Sequence, residues 1–242
     1  LLVNRGYAVF EPNFRSSIGM GKHYVISANQ DFGNGRVQQD ILDGLDYVLS
    51  QGIGDSSKLG IYGHSFGGFS ALTALAFSPD LFKVGVAGAP PTDLAQSVKQ
   101  LREQFQNDSD RLGQITINKL AVNPDDKNDM QRLYKNSPDF HWKNISKPLY
   151  IWAGGKDYKV SIARVKDFSV RLNQAAKPIS LLMDELEGHS PKRDIAKQAY
   201  FYMLEKALAS HLKGEYQQTL SPMLNRYLQR HLVIDTNSVR RD

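Results

Sequence analysis

Apolar positions follow two rhythms that alternate along the chain. Short, nearly unbroken runs at Leu59–Tyr62, Phe82–Ala87, Leu149–Ala153 and Ile179–Met183 are bounded by Gly, Pro or charged residues, and they read as buried strands. Between them apolar residues recur at helical spacing. Val37, Ile41, Leu45, Val48 and Leu49 predict a helix from Arg36 to Ser50. Phe69, Leu72, Leu75 and Ala76 predict another with few polar side chains. Further helices are expected at Ile162–Leu172, at about Arg193–Leu212 and around Pro222–Leu232. Leu1 to Gly6 reads as the end of a helix capped by Gly6, and Tyr7–Phe10 as a strand. Residues 93 to about 140 are polar and irregular, with helical pieces at Leu94–Phe105 and Asp129–Tyr134. Strands alternating with helices predict an α/β fold, a mostly parallel sheet covered by helices on both faces.

Composition narrows the class. A chain of 242 residues is long enough for one large α/β domain with a substantial core. The formal charge of +5 comes from scattered Lys and Arg, with no basic stripe interleaved with aromatics, so nucleic-acid binding is not expected. With no cysteine, disulfides, thiolate catalysis and Cys-based zinc sites are excluded, and the cellular compartment stays open. No apolar run approaches the roughly 20 residues of a membrane span. The chain opens Leu1-Leu2-Val3-Asn4-Arg5-Gly6, with neither an initiator Met nor a signal-peptide pattern, which reads as an N-terminally truncated piece of a longer protein.

Chemistry enters at Gly63-His64-Ser65-Phe66-Gly67, placed between the strand 59–62 and the helical pattern after it. Strand, Gly-x-Ser-x-Gly, helix is the nucleophile elbow, which exposes the Ser65 hydroxyl on a sharp turn. Gly63 and Gly67 are expected to give strand and helix room to approach. The Phe66 amide opens the helix and is positioned as an oxyanion donor, worth on the order of 3 kcal/mol. The plain alternative is a glycine-rich turn with an incidental serine.

An elbow serine needs a base and an orienting acid, which follow it in the order Ser, Asp or Glu, His. Both belong in turns after strand C-termini, where open α/β sheets bind ligands. Asp157 follows the strand 149–153 and His189 follows the strand 179–183. Asp184, Glu185 and Glu187 are rival acids, but they lie too near His189 in sequence. His64 is expected to point away from Ser65, while His23 and His141 precede the residues they would have to follow. Asp40, Asp43 and Asp46 share a helix side, and Asp125, Asp126 and Asp129 lack calcium-loop spacing; both sets read as solvated. Arg15 reads as a loop anchor or, less simply, as a ligand-binding cation. No metal or cofactor is expected. Ser65, Asp157 and His189 would act as nucleophile, orienting acid and base in acyl transfer.

Gly6-Tyr7-Ala8-Val9, Asn13-Phe14-Arg15-Ser16-Ser17 with Gly19 and Gly21, Gly63 to Gly68, Gly88-Ala89-Pro90 and Glu187-Gly188-His189 together resemble the prolyl oligopeptidase family of serine peptidases, which includes dipeptidyl and acylaminoacyl peptidases. The resemblance runs from residue 6 to about 213, and residues 214–242 look like a helical C-terminal extension. It implies an α/β-hydrolase catalytic domain at 1–213, an N-terminal β-propeller in the parent chain and a short-peptide substrate; whether the protein is a homo-oligomer is left open by the sequence. By position, Ser65, Asp157 and His189 match the family triad. Lys159 stands where members carry Asn or Arg for a substrate carbonyl; Phe66, Val160, Pro91 and Leu94 match pocket positions. A solvent-facing Lys and plain core are the alternatives. Ser16 and Ala153-Gly154 depart from the family's Gly and His-Gly. The resemblance also places a second oxyanion donor upstream of residue 1, so the fragment alone is expected to be weakly active or inactive. A carboxylesterase or lipase-like hydrolase and a non-enzymatic interaction module are the competing readings.

Overall fold

The computed structural model describes residues 1–29, 31–106 and 122–235. The middle of the irregular stretch after residue 106 and the end of the tail, 236–242, lie outside the described residues. Among the described residues five strands form one sheet in the order β1 (Gly60–His64), β2 (Val84–Gly88), β3 (Leu149–Gly154), β4 (Ile179–Asp184) and β5 (Leu232–Asp235). The first four pair in parallel, and β5 runs antiparallel to β4. Around the sheet lie α1 (Lys22–Ile26), α2 (Arg36–Ser50), α3 (Phe66–Phe77), α4 (Leu94–Gln106), α5 (Lys127–Lys135), α6 (Ile162–Gln174), α7 (Asp194–Leu212) and α8 (Pro222–His231).

The unbroken apolar runs of β2, β3 and β4 are explained by burial on both sides. By contrast β1, also expected to be buried, has none of its residues fully buried and leaves Tyr62 exposed, because it has a strand partner on one side only among the described residues. In β3, Tyr150 and Trp152 join the core under α7, while Leu149, Ile151 and Ala153 join the core under α3 and α6. In β4, Leu182 belongs to the first core, and Ile179, Leu181 and Met183 to the second. Alternate side chains of one strand thus serve two cores, which leaves no position for a polar face. The result is a doubly covered, mostly parallel sheet of α/β-hydrolase form.

Tyr7–Phe10 departs from its expected strand. It forms no ladder, and Val9 and Phe10 remain exposed. A strand exists only with a partner, and here Phe10 instead lays its ring over Gly44 of α2. The tail departs in the other direction. Its helix α8 is followed by β5, a strand the pattern does not predict because four residues carry no period. Leu224, Tyr227, Leu228 and Leu232 enter the same core as α7.

One reading of acidic residues changes. Asp40 is not on a solvated face: its carboxylate accepts Arg15 Nε at 2.8 Å and Nη2 at 2.6 Å, plus the Arg15 amide at 2.8 Å. Asp43 and Asp46 are exposed. In the other cluster Asp125 and Asp126 are exposed as expected and gain local partners. Asp126 caps α5 through the amides of Asn128 and Asp129, Asp129 pairs with Arg132 and Asp125 with Arg102. Among the described residues no group of carboxylates or histidines is arranged to hold a metal, and no helix is long and apolar enough to cross a membrane.

Candidate active site

Ser65 sits between β1 and α3 with φ 57° and ψ −119°, a left-handed conformation that an L-residue adopts at a cost. Two constraints hold it there. Its amide donates to Gly88 O at 2.8 Å, and its carbonyl accepts the Phe69 amide at 3.0 Å. The close approach is made at Gly63, where a Cβ would stand 2.2 Å from the Gly67 carbonyl, and at Gly68, whose Cβ would come within 2.9 Å of Gly88 O. Gly67 differs from expectation: a Cβ there would meet nothing within 4 Å, so it is the Gly67 backbone that needs Gly63 to be bare.

The turn after β3 presents Asp157, and the loop between β4 and α7 presents His189. Ser65 Oγ lies 2.9 Å from His189 Nε2, and His189 Nδ1 lies 2.8 Å from Asp157 Oδ2. The other Asp157 oxygen accepts the amides of Lys159 at 2.8 Å and Val160 at 3.0 Å. Burial alone would raise the Asp157 pKa. The His189 hydrogen bond and the two amides outweigh it and hold the carboxyl below its usual range. Three residues far apart in sequence therefore form one connected line of hydrogen bonds. Its order, hydroxyl to imidazole to ionised carboxylate, suits proton removal from Ser65.

The expected substrate residues divide. Pro91 and Val160 line one narrow cleft with Asp93, Gln96 and Arg164. Leu94 is buried in an apolar cluster containing Phe32 and Phe69, against which Phe66 and Phe14 pack. Lys159 is exposed, its ammonium 5.8 Å from the Tyr158 ring.

Two further groups of residues support the line without belonging to it. His64, facing away from Ser65, places Nε2 2.8 Å from the carbonyl oxygen of His189. Next to a carbonyl that nitrogen is the donor, which leaves Nδ1 without a proton; the Tyr200 hydroxyl 3.5 Å from it donates to the Tyr62 hydroxyl at 3.1 Å. Burial lowers the His64 pKa, which favours this neutral form. A histidine beside the elbow serine was visible in sequence, but its target is a backbone atom 125 residues on. Asp184 and Glu187, the rival acids, point away from the imidazole and bind Arg193, while Glu185 reaches toward Lys166.

Sheet, elbow and the position of the histidine loop define an α/β-hydrolase. A family profile described as the prolyl oligopeptidase family, Peptidase S9, matches residues 1–213, and the chain belongs to that family. Among curated proteins it is 31% identical to dipeptidyl peptidase family member 6 of Caenorhabditis elegans, over 89% of this chain and 28% of that protein. It is also 31% identical to dipeptidyl aminopeptidase BIII of Pseudoxanthomonas mexicana, over 88% and 30% of the two chains. Among solved structures, the Pyrococcus horikoshii acylaminoacyl peptidase superposes with a TM-score of 0.69 at 21% identity, over 89% of this chain and 33% of that one. A puromycin-hydrolyzing peptidase of Mycobacterium tuberculosis gives 0.68 at 21% identity, over 84% and 29%. The chain thus spans less than a third of the length of these curated relatives.

Proposed function

We propose that the protein is a serine peptidase that hydrolyses short peptides through Ser65, His189 and Asp157. The unbroken line Ser65 Oγ–His189–Asp157, at 2.9 and 2.8 Å, carries this reading, and family membership directs it to peptide bonds. His189 Nε2 takes the Ser65 proton as Oγ attacks the scissile carbonyl. The resulting oxyanion faces the Phe66 amide at the start of α3, where the helix dipole adds to the field. The imidazolium, steadied by Asp157, returns the proton to the leaving amine. Water then enters by the reverse steps, giving the acid product and free Ser65. Pro91 and Val160 are assigned to the side-chain pocket, with Phe66 and Leu94 shaping its apolar neighbour, and Lys159 to a substrate carbonyl.

The rest of the full-length protein is assigned to an N-terminal β-propeller that restricts access to short substrates. Residues 1–213 are the catalytic domain in this reading. A fluorophosphonate probe is expected to label the full-length protein at Ser65, and Ser65→Ala to abolish labelling. Aminoacyl-peptide amides should be hydrolysed with measurable kcat/KM. Turnover of p-nitrophenyl esters alone would replace this reading with a carboxylesterase, and an unlabelled Ser65 would replace it with a non-catalytic module.

A further inference from the structure

Resting on that reading, we propose that the C-terminal segment, residues 214–235, is a positioning element for the His189 loop, acting through Tyr227 on α8 and the buried carboxylate of Asp184. The segment lies beyond the part of the chain matched by the family profile.

The loop from residue 185 to 193 carries His189 at its middle, so its backbone position decides both hydrogen bonds of the imidazole. Two carboxylates pin it. Asp184, its side chain 1% exposed, accepts the Leu186 amide at 2.8 Å on Oδ1 and Arg193 Nη2 on Oδ2. Glu187, its side chain 2% exposed, accepts the Lys192 amide at 2.6 Å and Arg193 Nε at 2.7 Å. Arg193 thus clamps both ends of the loop like a staple. The clamp works only while Asp184 stays ionised and in place, and a buried carboxylate needs its oxygens satisfied.

The tail meets that need. The Tyr227 hydroxyl donates to Asp184 Oδ2, and one turn further along α8 His231 places Nε2 3.9 Å from the same oxygen. His231 Nδ1 also lies 3.2 Å from the Met183 carbonyl. Beyond α8, β5 pairs with the strand that ends in Asp184, placing Leu232 opposite Leu182 and Ile234 opposite Leu181. Helix, side chain and strand of the tail therefore all converge on the base of the His189 loop. Simple packing would require the apolar residues of α8 but not a phenol aimed at a buried anion.

The experiment uses the full-length protein and compares Tyr227→Phe with Leu228→Ala, a core change on the same helix that touches none of the loop's polar ties. Tyr227→Phe is expected to lower kcat on a peptide amide by roughly tenfold with KM unchanged, as misplaced catalytic groups do. Hydrogen exchange at the Leu186 and Lys192 amides should accelerate in the same variant. Leu228→Ala should lower the Tm while leaving kcat and those amides near wild type. His231→Ala reads the same link from the second side chain and should move both readouts less. Unchanged kcat and exchange in Tyr227→Phe and His231→Ala, or an equal fall of kcat in Leu228→Ala, overturns the inference. If wild-type Ser65 fails to label, the peptidase reading is lost, and the amide exchange alone still decides whether the tail holds the loop.

Discussion

At Ser65 the chain holds a serine on the wrong side of backbone space. The φ of 57° is kept by the Gly88 carbonyl behind the amide and by the bare Cα of Gly63 below the turn. A methyl at residue 63 would meet Gly67 backbone, which cannot rotate away as a side chain would. Gly63→Ala is therefore expected to destabilise the protein by about 1–3 kcal/mol in urea unfolding and to abolish fluorophosphonate labelling even in the folded fraction. Labelling at wild-type rate would show that the elbow tolerates relaxation. His64 illustrates a second residue-scale point. Its ring is spent on the backbone carbonyl of His189, 125 positions away.

Between elements, polar side chains tie loops whose backbones have no ladder. The Asn13–Gly21 loop is held to α2 by the two-pronged Arg15–Asp40 pair, whose side chains are only about a quarter exposed. The guanidinium hydrogen bond outweighs burial and keeps the Asp40 carboxyl below its usual range. Arg15→Ala leaves that carboxylate part-buried without its fork. A loss of roughly 1–3 kcal/mol is expected, measured by chemical denaturation, with Arg15→Lys recovering only part because an ammonium lacks the planar geometry. A change below about 0.5 kcal/mol would place Arg15 among ordinary surface ion pairs.

For the molecule as a whole, buried titratable groups set the acid limit. Burial lowers the pKa of His64 and His211, so the unfolded chain takes up their protons first and stability falls as pH drops below their ordinary value near 6.5. Asp157, Asp184 and Glu187 are raised by burial but lowered further by their hydrogen bonds. Their stabilisation is present above the ordinary values of 3.8 and 4.5 and is lost as pH falls through the depressed range. Asp93, raised by burial, works in the opposite sense in the acid range. The Tm is expected to be flat above about pH 7 and to decline in two stages, near pH 6 and below pH 4. A single stage confined to the lower range would show that the two histidines stay solvated. The β1 edge, unpaired among the described residues, leaves Tyr62 40% exposed beside exposed Val9 and Phe201.

Periodicity sufficed for the strands β2 to β4 and for α2, α3, α6 and α7, because doubly buried strands and amphipathic or fully buried helices write their surroundings into consecutive residues. The strand β1 was placed by the same kind of apolar run, but its burial was not, since the run does not say that it lies at an edge. Chain order and strand ends, rules that depend on topology alone, were enough to single out Ser65, Asp157 and His189 as three residues that the fold brings within hydrogen-bond distance of one another. What tertiary structure decided are partnerships between distant positions. It left Tyr7–Phe10 without a ladder, gave Leu232–Asp235 one, drew Asp40 to Arg15, and turned Asp184 and Glu187 from rival acids into anchors of the histidine loop. A short strand or a buried carboxylate carries no local signature. Whether it pairs, and with what, depends on which atoms the finished fold brings within 3 Å or so of it.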